Sequence, residues 1–432
     1  MSSTPWKLTC VDCGASYPGL ALRYRCECGG TLDVIHHFEG PADFTKFDTR
    51  RGSLTAVDRS GVWRFRELVL PIDTQQIVTK PEGNTNLYSS QAVAAYAGLD
   101  PACTNGAGGG LTLKHEGENP TGSFKDRGMT VAVSVGRVLG MESVACASTG
   151  NTSASMAAYA AQCGMRSFVF LPEGKVAYGK LSQALAYGAR TIQIRGNFDA
   201  AMDLVERACA QRGTYLVNSI NPFRIEGQKA IAFELLQDLA WQVPDWIVLP
   251  GGNLGNSSAV AKGLMELHAL GALPRLPRLA VIQAQGANPL YQAFATGKPL
   301  VAVADPNTIA TAIRIGNPVS WKKCLRGLAA TNGVVEQASD QAILDAKAKV
   351  DAAGIGAEPA SCATVAGLRK LVAAGIVDRS ARVCAILTGH VLKDPDSVVE
   401  YHRGTLAGIE PAFANPPIVC DADLPSVLRA MG

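Results

Sequence analysis

An excess of one charge, a long apolar run and a leader-like start are all missing from this chain. Charged residues make up 18% of its 432 positions, and 40 basic side chains against 37 acidic ones leave a formal net charge of +3. So even a balance gives no electrostatic footprint for nucleic acid or an anionic membrane. No apolar stretch reaches the length that spans a bilayer. The opening MSSTPWKLTC lacks the charged-then-apolar order of a secretory signal. A true internal repeat is absent too, since the AAYA at 94–97 and 157–160 is only local helical similarity. What is present is 47% hydrophobic residues, enough to fill large cores in two or three domains. These features predict a soluble, cytoplasmic protein without nucleic-acid or membrane partners.

Of the 12 cysteines, eight are scattered singly. Cys146, Cys163, Cys209 and Cys384 sit among apolar neighbours, where a free thiol behaves as a small core residue. The other four, Cys10, Cys13, Cys26 and Cys28, have the spacing C-x2-C-x12-C-x-C. Two close pairs, each followed by glycine, can aim four thiolates at one Zn²⁺, which would stabilise a ribbon-like module over residues 1–35. Free or oxidisable thiols in a relic of such a ribbon are the alternative. A nucleic-acid ribbon is disfavoured, because only Lys7, Arg23 and Arg25 are basic there.

From about residue 112, short apolar runs alternate with helical patterns. LTLKHEG, SVACA, SFVFLPEGK, TIQIRG, TYLVNSINPF, DWIVLPGGNLGN, RLAVIQAQG and RVCAILTGH are the strand candidates. Strand–loop–helix alternation means an α/β fold with mostly parallel sheets. Ligands then collect at loops leaving the strands' C-terminal ends. The turn NGAGGG (105–110) has no following helix and is given no function.

Four such loops could carry chemistry. In GGNLGN, Gly251, Gly252 and Gly255 open the backbone beside Asn253, Leu254 and Asn256. Its amides and a helix N-terminus would hold one phosphate. The spacing matches neither the dinucleotide fingerprint nor the P-loop. STGNTSAS (148–155) offers the hydroxyls of Ser148, Thr149, Thr152, Ser153 and Ser155 around Asn151, more than a helix cap needs. In NPTGSFKDRG (119–128), Ser123 and Asp126 make a capping box. That puts Lys125 at the positive end of a helix dipole, where the neutral, nucleophilic amine is favoured. A solvated surface charge is the commoner fate of a lysine. Its company of one phosphate-type loop and one hydroxyl-rich loop points instead to an aldehyde cofactor with a single phosphate, pyridoxal phosphate. Thr388 in ILTGH could meet a pyridine nitrogen without protonating it, which suits elimination and replacement chemistry.

HEGENPTGSFKDRG, STGNTSAS, GKVAYGKLSQALAYGA, VNSINPFRIEGQK, LPGGNLGN, AIRIGNPVSW, EPASCATVAGL and LTGHVLKDP together resemble the fold-type II pyridoxal-phosphate enzymes, and among them the threonine synthases. The resemblance covers roughly residues 80–400. It implies two open twisted sheets flanked by helices. A large domain would take 36–140 and 226–432, and a small mobile one 141–225. It implies that Lys125 holds the cofactor covalently and moves protons. Phe124 and Asn151 would touch the cofactor ring, and Gly251 to Asn256 its phosphate. Thr388 would face its nitrogen, and Ser148 and Thr152 the substrate. Asn218, Ser219 and Arg224 would take a second phosphate, that of O-phospho-L-homoserine, and a guanidinium beside amide and hydroxyl donors suits a dianion. The implied reaction is the last step of threonine biosynthesis, by a homodimeric lyase. Related readings are a serine or threonine dehydratase, a cysteate-synthase-like enzyme, or a zinc-ribbon binding protein with a degenerate enzyme body. Two departures from the pattern are Asn86, where proline is usual, and Val391, where glycine is usual.

Overall fold

The computed structural model describes residues 4–38, 40, 43–100, 110–148, 150–173, 178–195 and 198–432. Thr149 and positions 105–109 of the glycine turn lie outside them.

The N-terminal segment forms an antiparallel three-stranded ribbon, β1 (Trp6–Cys10), β2 (Ser16–Pro18) and β3 (Leu32–His36), in the order β2-β1-β3. Trp6, Leu8, Leu32 and Val34 alternate inward and join the main core, the period of two that a half-covered sheet requires. The expectation of an α/β body with mostly parallel sheets is met. A six-stranded sheet contains β4 (Leu87–Ser89), β5 (Gly110–His115), β10 (Trp246–Pro250), β11 (Arg278–Ala284), β12 (Val334–Ala338) and β13 (Arg382–Leu387). Its order is β12-β11-β10-β13-β5-β4, and only the edge strand β4 runs antiparallel. A four-stranded parallel sheet, β8-β7-β6-β9, is built from β6 (Ser143–Ala147), β7 (Arg166–Pro172), β8 (Arg190–Ile194) and β9 (Tyr215–Leu216). The all-apolar WIVLP of β10 is buried at every position, as a strand covered on both faces must be.

The strand expected in TYLVNSINPF stops after two residues. The Asn218 side chain bonds the backbone N–H and C=O of Ala147, and Asn221 donates to Leu216 O while accepting from Phe223 N. Side-chain amides here take backbone partners that a longer ladder would have used.

Two helices cross at glycine. Helix Lys125–Val138 meets helix Phe223–Gln228 where Gly128 faces Gly227. A Cβ on Gly227 would lie 1.8 Å from Arg127 O, and one on Gly128 would lie 2.7 Å from Arg224 O. Gly227→Ala is therefore expected to lower stability by about 1–3 kcal/mol, the usual cost of overpacking. A denaturant midpoint equal to that of the unaltered protein would contradict this close approach.

Candidate active site

Three loops are laced together at the C-terminal edge of the large sheet. Phe124 N donates to Thr388 O at 3.0 Å, and His390 N to Gly122 O at 3.0 Å. Glu358 N donates to Gly389 O at 3.0 Å. Lys125, the first residue of its helix, rises from this lacing. The expected capping box does not form. Asp126 turns inward and accepts from Thr121 N (2.7 Å), Thr121 Oγ1 (2.6 Å) and Ser155 Oγ (2.5 Å). Ser123 Oγ is buried without a partner among the described residues. The tight TGS turn outcompetes a simple cap, because Asp126 gains three donors there instead of one.

Lys125 Nζ lies 4.0 Å from the centroid of the Phe124 ring. It makes no hydrogen bond or ion pair among the described residues. Burial pulls its pKa down to about 7, the Arg224 guanidinium adds to the effect and Glu358 opposes it. The low pKa anticipated from the helix dipole is thus present, with desolvation and a neighbouring cation as its main causes.

The GGNLGN loop follows β10 and opens the helix Gly255–Ala269. Leu254 is left-handed, with φ 62°. The first helical amide with a backbone acceptor is that of Ser258, to Leu254 O, so the amides of 252–257 have no main-chain acceptor among the described residues. Both amide atoms of Asn256 and the Ser257 hydroxyl are buried without partners among the described residues. Asn253 braces the loop by accepting from Val319 N and donating to Ser219 Oγ.

In the hydroxyl-rich loop the roles divide. Ser148 Oγ accepts from Gly150 N, and Ser153 Oγ donates to Gly150 O. Ser155 is committed to Asp126. The Thr152 hydroxyl bonds nothing among the described residues, and Asn151 Nδ2 donates to Glu358 at 3.2 Å. Thr388 is buried, its Oγ1 3.1 Å from Ser361 Oγ.

Arg224 is buried and spends one N–H on Val217 O, at 3.1 Å. Its Nε has no partner among the described residues. Burial pulls its pKa down to about 10. Ser219 stands between this cluster and the GGNLGN loop through Asn253. Asn218, expected to donate to a ligand, spends its amide on Ala147.

Three side chains went unassigned in the sequence. Glu358, buried at the start of helix Pro359–Ala373, has its pKa raised by burial, an effect that Asn151 and the nearby lysines counter. Ser361 binds Gly389 N and Thr388. Lys393 Nζ donates to Gln183 of helix Tyr178–Ala186. Only the Glu-Pro pair that opens a helix hinted at Glu358. Of the two departures, Asn86 is explained by its N–H, which donates to Glu118 at 2.6 Å, a bond proline cannot make. Val391 packs against the left-handed Gly356.

Residues 78–389 match the family described as "Pyridoxal-phosphate dependent enzyme". The chain is 46% identical to a threonine synthase of Methanocaldococcus jannaschii over 392 residues, 90% of this chain and 93% of that protein. It is 44% identical to a threonine synthase of Methanosarcina acetivorans, over 99% of this chain and 98% of that one. Among solved structures, Escherichia coli threonine synthase superposes with a TM-score of 0.69 at 16% identity, covering 98% and 99% of the two chains, which speaks to the fold. Loop, lysine and relatives agree, and the chain belongs to the pyridoxal-phosphate-dependent enzymes, in their threonine synthase family.

Proposed function

We propose that this protein converts O-phospho-L-homoserine and water to L-threonine and phosphate. The observation that carries the reading is a free, weakly basic Lys125 beside the buried, under-bonded guanidinium of Arg224, with a second anion cradle at 252–257. One cradle suits the phosphate of pyridoxal phosphate and the other a phosphate on the substrate.

The residues fit the cofactor. The unpartnered amides of 252–257, the orphaned Asn256 amide and the Ser257 hydroxyl form a donor set for a phosphate dianion. Lys125 would hold the group, Phe124 and Asn151 would border its ring and Thr388 would meet its nitrogen. When bound, pyridoxal phosphate supplies an electron sink for charge at the substrate carbons. Lys125 Nζ then takes the α proton and a β proton in turn, as an amine with a pKa of about 7 can do at neutral pH. Arg224, Ser219 and the Thr152 hydroxyl orient the substrate, and Arg224 holds the phosphate as it leaves the γ carbon. Residues 141–225 close over the substrate and exclude water until one is needed, which then adds at the β carbon after the phosphate has left, and the Lys393–Gln183 bond spans the two bodies that would move. A homodimer in the cytoplasm is part of the same proposal. No helix of the described residues is long and apolar enough to cross a membrane.

Release of inorganic phosphate from O-phosphohomoserine by the cofactor-loaded protein is the direct test, and no release would sink the assignment. Arg224→Ala is expected to lower kcat/KM for this substrate about 10- to 100-fold, the equivalent of a charge-assisted hydrogen bond. A serine or threonine dehydratase needs no second phosphate cluster, and deamination by such an enzyme would survive the substitution.

A further inference from the structure

The N-terminal ribbon is far from the lysine in sequence, yet it grips the elements that carry both anion sites. Two thiol pairs are close, Cys10–Cys28 at 3.6 Å and Cys13–Cys26 at 3.5 Å, and all four sulfurs lie within 4.8 Å of one another. Tetrahedral Zn²⁺ with Zn–S of about 2.3 Å sets its sulfurs about 3.8 Å apart, whereas a disulfide needs about 2.05 Å. The four are free thiols, and a Cβ on Gly30 would crowd Cys10 Sγ at 2.7 Å. The Tyr17 hydroxyl reaches Cys26 Sγ at 3.0 Å, the kind of outer contact that orients a metal ligand. The other ligand-like group, His36 with Glu226 and Glu266, is filled by Lys229 and Lys262 and is an ion-pair network.

From this knot, contacts run to the active site on two sides. Tyr24, two residues before Cys26, accepts the N–H of Leu216 at 2.7 Å, and its ring lies 5.9 Å from that of Tyr215. It covers the free edge of β9, just before Asn218, Ser219 and Arg224. On the other side, His36 binds Glu226 at 2.6 Å, in the short helix that carries Arg224. Asp33 binds Lys262 at 3.1 Å and Arg326 at 2.5 Å, and Lys262 belongs to the helix that begins at the GGNLGN loop.

We propose that Cys10, Cys13, Cys26 and Cys28 bind one Zn²⁺, and that the metal-set ribbon is a strut. Through Tyr24 and His36 it holds the Arg224 cluster in the geometry that takes the substrate phosphate. Tyr24 acts through Leu216, so it is a positioning residue. The strut rests on the reading of the Arg224 cluster as a phosphate site. Zinc loss or thiol oxidation would weaken substrate binding and leave the cofactor in place.

Zinc content, cofactor content, kcat and KM are measured on the holoenzyme. Tyr24→Phe is expected to keep zinc, cofactor and kcat while raising KM about fivefold, the equivalent of one neutral hydrogen bond of about 1 kcal/mol. Cys13→Ser is expected to lose zinc and raise KM at least as much. An unchanged KM in Tyr24→Phe overturns the strut, even where Cys13→Ser fails to fold. Protein made in zinc-supplemented medium that contains no zinc overturns the metal assignment. Calorimetric titration of inorganic phosphate into the holoenzyme separates this proposal from the choice of substrate. If O-phosphohomoserine is not turned over, weaker phosphate binding by Tyr24→Phe still supports the strut, and equal binding removes it.

Discussion

Lys125→Ala is expected to lower turnover of O-phosphohomoserine by at least about 10³-fold, the range for a positioned group that moves protons at carbon. The expectation follows from what the side chain lacks. Its Nζ has no carboxylate partner and no hydrogen bond among the described residues, and it sits against a phenyl face. A surface lysine in that position would be solvated and charged. Here burial and Arg224 bring the pKa to about 7, so a large share of the amine is free at neutral pH. Two readouts check the assignment apart from turnover. Borohydride should fix pyridoxal phosphate onto the peptide containing Lys125, and the alanine variant should show no such adduct. Capture of the cofactor by the apoprotein should also depend on pH with a definite sign. Below about pH 7 the amine is protonated and capture slows about tenfold per unit; above it the rate levels off. Removing the positive charge in Arg224→Ala moves the inflection to higher pH, and removing the negative charge in Glu358→Gln moves it lower. An inflection that neither substitution moves would detach Lys125 from these two neighbours.

Much of the proposed site could be read in the sequence because its pieces are local. Gly-rich backbone after an apolar strand and a lysine opening a helix can each be read within a dozen residues, whereas the group of Asn218, Ser219 and Arg224 came only with the family resemblance. The α/β alternation is equally local, and the parallel sheets follow from it. What escaped depends on contacts between distant segments. Glu358 and Asn151 are 207 positions apart and meet only after folding. Asp126 offered a plausible cap to Ser123, and nothing in the sequence showed that Ser155, 29 residues on, would claim it. Strand β12 was hidden by Glu336 and Gln337 in VVEQA, polar residues that an edge strand tolerates and a central one does not. The ribbon's spacing already grouped the four cysteines that the fold brings together, whereas the contacts from Tyr24 and His36 to the Arg224 segment span 192 and 190 positions.

The largest stability effect is expected away from the reacting groups. Glu234→Gln is expected to destabilise the fold by about 3–5 kcal/mol, the cost of breaking a buried ionic group from one side. Glu234 is fully buried and accepts from Arg64 and from Arg127, each at 2.8 Å, and from Lys114 at 2.8 Å. The backbone amides of Asn84 and Thr85 complete its shell. Burial alone would favour the neutral acid, yet Arg127, Lys114 and Arg64 together hold it well below the usual carboxylate range. The three buried cations face three anions, because Glu116 takes Arg127 at 2.6 Å and Asp238 takes Lys114 at 2.6 Å, while Asp238 also meets the half-exposed Arg51 at 2.8 Å. Neutralising Glu234 leaves a buried positive charge uncompensated, away from solvent. Arg127 is two residues from Lys125, so the network also anchors the turn that presents the amine. A lowered denaturant midpoint should therefore come with weaker cofactor retention in native buffer. Changing Arg64 to methionine in the same chain removes the surplus charge and should restore part of the lost stability, a coupling that a double-mutant cycle measures directly. Additive losses in that cycle would mean that the two side chains do not share one ionic group.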